Sequence, residues 1–191
     1  DTQLNISPTY LKPGFAFGGS CLPKDLRAML YLGKSNDVDL PVMLGVQQTN
    51  EVHIQHAADM VMSAGTRKVG MVGLSFKPGT DDLRESPLVA LAEKLIGKGF
   101  DLRIYDPEVN LSRLLGANRK YIEQSIPHIG SLMSEDCAEV VDHGDALIVG
   151  LTSVDVRAVL LERIREDHVV LDLVGLDRRE VKAKTYHGIC W

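Results

Sequence analysis

The sequence predicts an α/β fold, a short helical region followed by a doubly wound parallel sheet. Three observations predict it. From residue 68 onward, short apolar runs alternate with amphipathic stretches about four times, the pattern of βαβ units covered on both faces. Residues 22–64 instead hold two stretches of helical apolar spacing and no strand pattern. The turn at Gly65–Lys68 separates the two regimes, so residues 1–66 read as helical and residues 67–191 as a Rossmann-like sheet domain.

The first helix follows the loop PGFAFGGSC, residues 13–21. Pro23 suits its opening turn, and Leu22, Leu26, Met29 and Leu30 recur at helical spacing until Gly33 stops it. After SNDVDLP a second helix runs from near Pro41 to Gly65. Val42, Val46, Thr49, His53, Ala57, Met60 and Ala64 advance by three or four, one stripe of about six turns. A stripe that long needs more cover than its short neighbour, and either a second copy of the chain or an absent domain would serve. KVGMVGL reads as a buried strand, SFKPGTDDLRES as a polar loop, and PLVALAEKLIGKG as a helix with Pro87 near its start and Gly97 or Gly99 near its end. DLRIYDP follows as the second strand. NLSRLLGANRKYIEQSI is expected to be partly helical and PHIGSLM to hold a short strand. SEDCAEVVDHG is expected to be a helix starting at Ser134, with acidic residues in its first turn. DALIVGL, VDVRAVLLERIRED and HVVLDLVG end the series as strand, helix and last strand.

Composition narrows the function. The chain has 191 residues, 45% hydrophobic and 25% charged, enough for one large domain or a domain with a smaller companion. Its net charge of −5 is spread in mixed signs, without the basic patch of a nucleic-acid protein. No apolar run approaches the 18 or so residues of a membrane span. Three cysteines, Cys21, Cys137 and Cys190, stand far apart with no CxxC pair. That argues against a disulfide framework or a zinc site and for a reducing cytoplasm. His53 and His56 share a helix face with no third ligand, and they read as solvated helix histidines. The N-terminus has neither an initiator methionine nor a secretory pattern, so it reads as that of a fragment or a processed chain.

Cys21 carries the sharpest chemistry. A thiol at a helix N-terminus is biased toward the thiolate by the helix dipole. Lys24 adds to that bias, whereas Asp25 opposes it. A carboxylate beside a nucleophile suits a base or a water-positioning group. A buried structural cysteine is the alternative, and the residues alone leave both open. Gly18 and Gly19 remove side chains where something comes close or the backbone needs positive φ.

The turn after the first strand is where a doubly wound sheet binds its ligand. It holds Gly70 and Gly73 but neither a G-x-G-x-x-G fingerprint nor a Walker lysine. Strand-end loops and helix N-termini still attract phosphate. Lys77 follows the strand and is expected to point into the crevice. Lys77 and Arg84, seven apart across a turn, would hold two groups of an anionic ligand. With Asp81, Asp82 and Glu85 beside them, a solvated charged loop is the alternative.

FGGSCLPKD resembles the catalytic-cysteine segment of the UDP-glucose/GDP-mannose dehydrogenase family. KVGMVGLSFKPGTDDLRESP is similar to the opening strand and loop of that family's C-terminal nucleotide-sugar domain, and IYDP to its second strand. The resemblance spans nearly the whole chain. It implies that residues 1–66 are the end of a central dimerisation region and residues 67–191 the nucleotide-sugar-binding domain. The family's N-terminal NAD-binding domain has no counterpart here, and the chain alone is expected to be inactive.

The resemblance also implies an activity, the oxidation of a sugar C6 alcohol to a carboxylate with two NAD. The route runs through a thiohemiacetal and then a thioester on Cys21, and Asp25 assists the water or the proton transfers. It assigns Tyr10, Lys12, Phe15, Gly18 and Lys77 to the sugar nucleotide, Lys24 and Arg84 to NAD, and the central helix to a homodimer with shared sites. UDP-sugar members usually carry Gly where this chain has Ala16, and D-G-R where it has Asp172-Leu173-Val174. Both departures are similar to the GDP-mannose branch and imply GDP-mannose as substrate, with a UDP-glucose-type enzyme as the alternative. Two other readings compete: a non-catalytic nucleotide-binding and dimerisation module, and a redox sensor that would need a resolving thiol.

Overall fold

In each strand successive side chains point to opposite faces, and here both faces are covered. The computed structural model of the chain describes residues 14–109, 127 and 129–189. The expected helical stretch between 110 and 126, and Tyr10, Lys12 and Cys190, lie outside the described residues.

Five strands form one parallel sheet: β1 (Lys68–Val72), β2 (Asp101–Tyr105), β3 (Ala146–Val149), β4 (Val169–Asp172) and β5 (Thr185–Gly188). Their order is β2-β1-β3-β4-β5, every pairing parallel. The described helices are α1 (Leu22–Ser35), α2 (Pro41–Ser63), α3 (Pro87–Gly97), α4 (Ile129–Leu132), α5 (Cys137–His143) and α6 (Val154–Arg163). Val69, Met71, Ile148 and Leu171 join Ala57 and Val61 of α2 and Leu91 and Leu95 of α3 in one core. Val72, Leu147, Val149 and Val170 join Val140 of α5 and Leu160 of α6 in the other. Two cores on the two faces make the sheet doubly wound, as expected. The strand order turns back between β1 and β3, which puts the ligand-binding crevice outside their carboxyl ends.

The element boundaries follow local chemistry. The Ser86 side chain accepts the Leu88 N–H and caps α3, and Ser153 caps α6 in the same way. α5 begins three residues later than the expected Ser134, because Asp136 is the cap that accepts the Ala138 N–H at 2.8 Å. α1 runs past Gly33 to Ser35. Within PHIGSLM, expected to hold a strand, Ile129–Leu132 form the α4 turn and Met133 makes an isolated bridge to Ile104. β5 has no expected counterpart. Its sequence TYHG is polar, and it joins as an edge strand whose Tyr186 hydroxyl donates to the buried Asp172 at 2.5 Å.

The stripe on α2 splits in two. Its C-terminal part, around Ala57, is buried in the core, whereas Val42 and Val46 are 75% and 43% exposed. The buried half ties the helical region to the sheet, and the open half is an apolar face uncovered by any described residue.

One buried base predicts a pH response. His168 is fully buried, its Nδ1 accepting the Arg165 N–H at 3.2 Å. Burial first, and the nearby Arg165 second, hold its pKa below the usual histidine value. Protonation is therefore harder in the folded chain than in the unfolded one. Stability is full above the unfolded histidine pKa of about 6.5 and falls as pH drops below it. Thermal unfolding at pH 7.5 and pH 5.5 checks this. A fall of a few degrees is expected, and it should shrink in His168→Gln.

Candidate functional site

Cys21 is the N-cap residue of α1, exposed, with Ser20 Oγ 3.8 Å from its sulfur. Pro23 sits in the first turn, and the Asp25 N–H closes it onto the Cys21 carbonyl at 2.9 Å. Exposure removes the reading of Cys21 as a buried structural cysteine. Cys137 is the buried one, its thiol pushed up to about 11, chiefly by burial.

The loop before Cys21 rests on the β1–α3 loop, residues 73–86. The Gly19 N–H donates to the Arg84 carbonyl at 3.1 Å. Gly19 has φ +87°, and a Cβ there would meet the Phe76 ring at 2.8 Å. A Cβ on Gly18 would meet the Glu85 carbonyl oxygen at 2.3 Å. The space left by the two glycines is thus filled by the chain's own second loop.

Charged side chains crowd the thiol's surroundings. Lys24 pairs with its neighbour Asp25 at 3.3 Å, both side chains well exposed. Arg84 lies within electrostatic reach of Cys21. Its guanidinium is held by Asp82 through contacts of 2.8 and 2.7 Å. The Arg84 hydrogen bonds keep the Asp82 carboxyl below its usual range, with Lys77 adding a smaller pull. Glu85 adopts a left-handed φ of +49°, and Arg27 of α1 grips its carboxylate with two bonds of 2.7 Å. This clamp is half exposed, so its value lies in fixing geometry more than in stability.

Lys77 projects from the same loop, its ammonium 5.3 Å from the centre of the Phe76 ring. Phe76 therefore touches the cysteine loop on one side and Lys77 on the other, a link the sequence does not reveal. The base of the loop is set by Asp106 at the end of β2. This buried carboxylate accepts the Leu74 N–H, the Ser75 N–H and the Ser75 hydroxyl at 2.8–2.9 Å. Ser86 closes the far end by donating to the Leu74 carbonyl at 2.7 Å. A cavity of about 40 Å³ lies beside it at the crevice, lined by Pro78, Asp106, Leu151 and Ser153.

On the other side, the loop rests on α2. Asn50 exchanges two hydrogen bonds with the Phe17 backbone, and His53 Nδ1 meets the Phe15 carbonyl at 2.9 Å. His53 is therefore half-buried and engaged, which corrects its reading as a solvated histidine. Phe15 is buried in the core. Phe15, Gly18, Cys21, Lys24, Asp25, Lys77 and Arg84 thus all lie on two loops in mutual contact or at the adjoining start of α1. Among the described residues no cluster of three metal-ligating side chains forms.

Comparison with known proteins agrees with this architecture. The UDP binding domain of the UDP-glucose/GDP-mannose dehydrogenase family matches residues 70–177, and that family's central domain matches residues 1–52. The chain belongs to this family. As a member of the UDP-glucose/GDP-mannose dehydrogenases, it is 50% identical to the GDP-mannose 6-dehydrogenase of Pseudomonas syringae pv. tomato. All of the chain aligns, but only 44% of that relative. The structure of a GDP-mannose dehydrogenase ternary complex from Pseudomonas aeruginosa superposes with a TM-score of 0.86 at 47% identity, covering 100% of this chain and 43% of that one. A UDP-glucose dehydrogenase from Pyrobaculum islandicum gives 0.76 at 28% identity, covering 93% and 39%. The chain thus spans less than half the length of these relatives.

This dehydrogenase family uses NAD, and the chain fits that cofactor only in part. Behind β1, a Cβ on Gly73 would meet the Leu151 N at 2.7 Å, so the open side of that glycine is taken by the chain's own backbone. At the rim of Cys21, Lys24 is well exposed and Arg84 partly so, two cations that match an anionic pyrophosphate.

Proposed function

We propose that the chain is the covalent and nucleotide-sugar-binding part of an NAD-dependent GDP-mannose 6-dehydrogenase, which oxidises GDP-mannose to GDP-mannuronate. One observation carries the reading. An exposed thiol at a helix N-terminus follows closely on Gly19, which rests on the strand-end loop that bears Lys77 and Arg84. Chemistry and anion recognition therefore share one surface.

NAD, when bound, supplies the hydride acceptor for both two-electron oxidations, with Lys24 and Arg84 holding it at the rim. After the first oxidation, the Cys21 sulfur adds to the C6 aldehyde and forms a thiohemiacetal. The second oxidation removes hydride from that carbon and leaves a thioester. Water attacks the thioester carbonyl, the C–S bond breaks, and the carboxylate and the free thiol separate. Asp25, one turn along α1, orients that water and takes its proton. Lys77 holds the anionic nucleotide, together with Tyr10, Lys12, Phe15 and Gly18. A sulfur nucleophile suits this sequence because a thioester is more readily hydrolysed than an oxygen ester.

The exposed valines of α2 support a homodimer built on this helix, with each partner completing the other's site. No helix among the described residues is long and apolar enough to cross a membrane, and an exposed reduced thiol suits the cytoplasm. The 50% identity to a GDP-mannose enzyme, against 28% to a UDP-glucose one, favours the GDP-sugar. Calorimetry on the full-length protein tests the substrate. GDP-mannose is expected to bind at least about tenfold more tightly than UDP-glucose, a difference of roughly 1.4 kcal/mol. Equal or tighter binding of UDP-glucose overturns the assignment.

A further inference from the structure

The cysteine loop meets α2 at a point that neither anion binding nor thiol chemistry accounts for. Asn50 Oδ1 accepts the Phe17 N–H at 2.8 Å, and Asn50 Nδ2 donates to the Phe17 carbonyl at 3.0 Å. Both ends of one side-chain amide are thus matched to both ends of one residue's backbone, as a neighbouring strand would match them. Only one orientation of the amide does this, since a flip would set oxygen against oxygen and N–H against N–H. One helical turn further along, His53 meets the Phe15 carbonyl. Phe17 stands four residues before Cys21, and the intervening Gly18 and Gly19 are pressed against Glu85 and Phe76.

The loop is thereby held from two sides by different means. Backbone and ring contacts from the β1–α3 loop fix where it sits. Asn50 fixes the peptide that feeds Cys21 into α1. Glycine-containing loops have wide backbone freedom, so without the clamp the thiol would sample positions around its seat. We propose that Asn50 is a positioning residue for Cys21, acting through the Phe17 backbone to hold the sulfur where the C6 carbon arrives. Asn50 does not itself touch the reacting atoms. Misplacement of a reacting group by about 1 Å costs on the order of 100-fold in rate, so the clamp acts chiefly on kcat.

The proposal rests on Cys21 being the nucleophile, and the test separates the two. In the full-length protein, Asn50→Ala is expected to lower kcat with GDP-mannose about 10- to 100-fold. The iodoacetamide labelling rate of Cys21 should stay within about threefold of the parent, because the thiol itself is unchanged, and kcat should fall by a larger factor than KM rises. Asn50→Asp keeps the volume and the acceptor but turns a carboxylate oxygen toward the Phe17 carbonyl, and it should lose kcat as well without loss of fold. Ala58→Gly, a destabilising change in the core-facing part of α2, serves as control. Two results overturn the proposal: an unchanged kcat in Asn50→Ala, or a kcat loss in Ala58→Gly as large as that in Asn50→Ala at matched melting temperature. If Cys21→Ser retains activity, the functional reading fails first. If Cys21→Ser is inactive and Asn50→Ala is fully active, only the positioning role fails.

Discussion

Cys21→Ser in the full-length protein is expected to lower the rate of GDP-mannose oxidation by at least about 10³-fold. A serine hydroxyl stays protonated near neutral pH, whereas a free thiol ionises at about 8.5 and lower beside cations. At the N-terminus of α1, Cys21 stands exposed with the Arg84 cation within electrostatic reach. Serine keeps the shape of the site but loses that nucleophile. NADH formation at saturating substrate is the measurement, with substrate binding as the control for an intact fold. A loss below tenfold would mean that the thiol is not the covalent group.

Asp106→Ala is expected to cost about 2–4 kcal/mol of folding stability, among the largest effects available outside the core. The carboxylate is buried, and three donors of Leu74 and Ser75 converge on one of its oxygens while Glu108 N–H uses the other. Removing it leaves two backbone N–H groups buried without a partner, and each costs roughly 1–3 kcal/mol. The base of the Phe76–Lys77 loop loosens with them, so nucleotide affinity should fall in the same variant. Asp106→Asn retains one acceptor oxygen and should lose about half as much. Denaturant titration gives the stability, and a cost under about 1 kcal/mol for the alanine variant contradicts this role.

Much of the fold was legible because β1, β3 and β4 are buried on both faces and read as apolar runs between turn residues. The amphipathic helices α3 and α6 were equally plain, each opening on a serine cap. β5 was not legible: TYHG is short, polar and at the sheet edge, and its place depends on the Tyr186–Asp172 bond. The length of α2 was visible in its stripe, but which half is buried depends on where α3 and the sheet lie.

At the site, sequence singled out residue types but not partners. Cys21, Lys77 and Arg84 stand out as unusual residues at loop and helix ends. Their contacts join residues far apart in the chain, such as Gly19 with Arg84 and Phe17 with Asn50. That is why Lys24 drew attention as the cation beside the thiol, although its ammonium pairs with Asp25. Phe76, Asn50 and Asp106 carry no such mark in the sequence. An aromatic, an amide and a carboxylate say nothing until the loops they hold are in place. The glycines before Cys21 show the same limit, since their empty sides face protein.

The most direct measurement of the central claim is iodoacetamide labelling of the full-length protein, with peptide mapping and activity followed together. Cys137 is buried with its thiol pushed up to about 11, so it should stay unlabelled in the folded protein. Activity should fall in step with one label on Cys21, and GDP-mannose should slow both, UDP-glucose much less. Full labelling of Cys21 with activity intact would contradict the account.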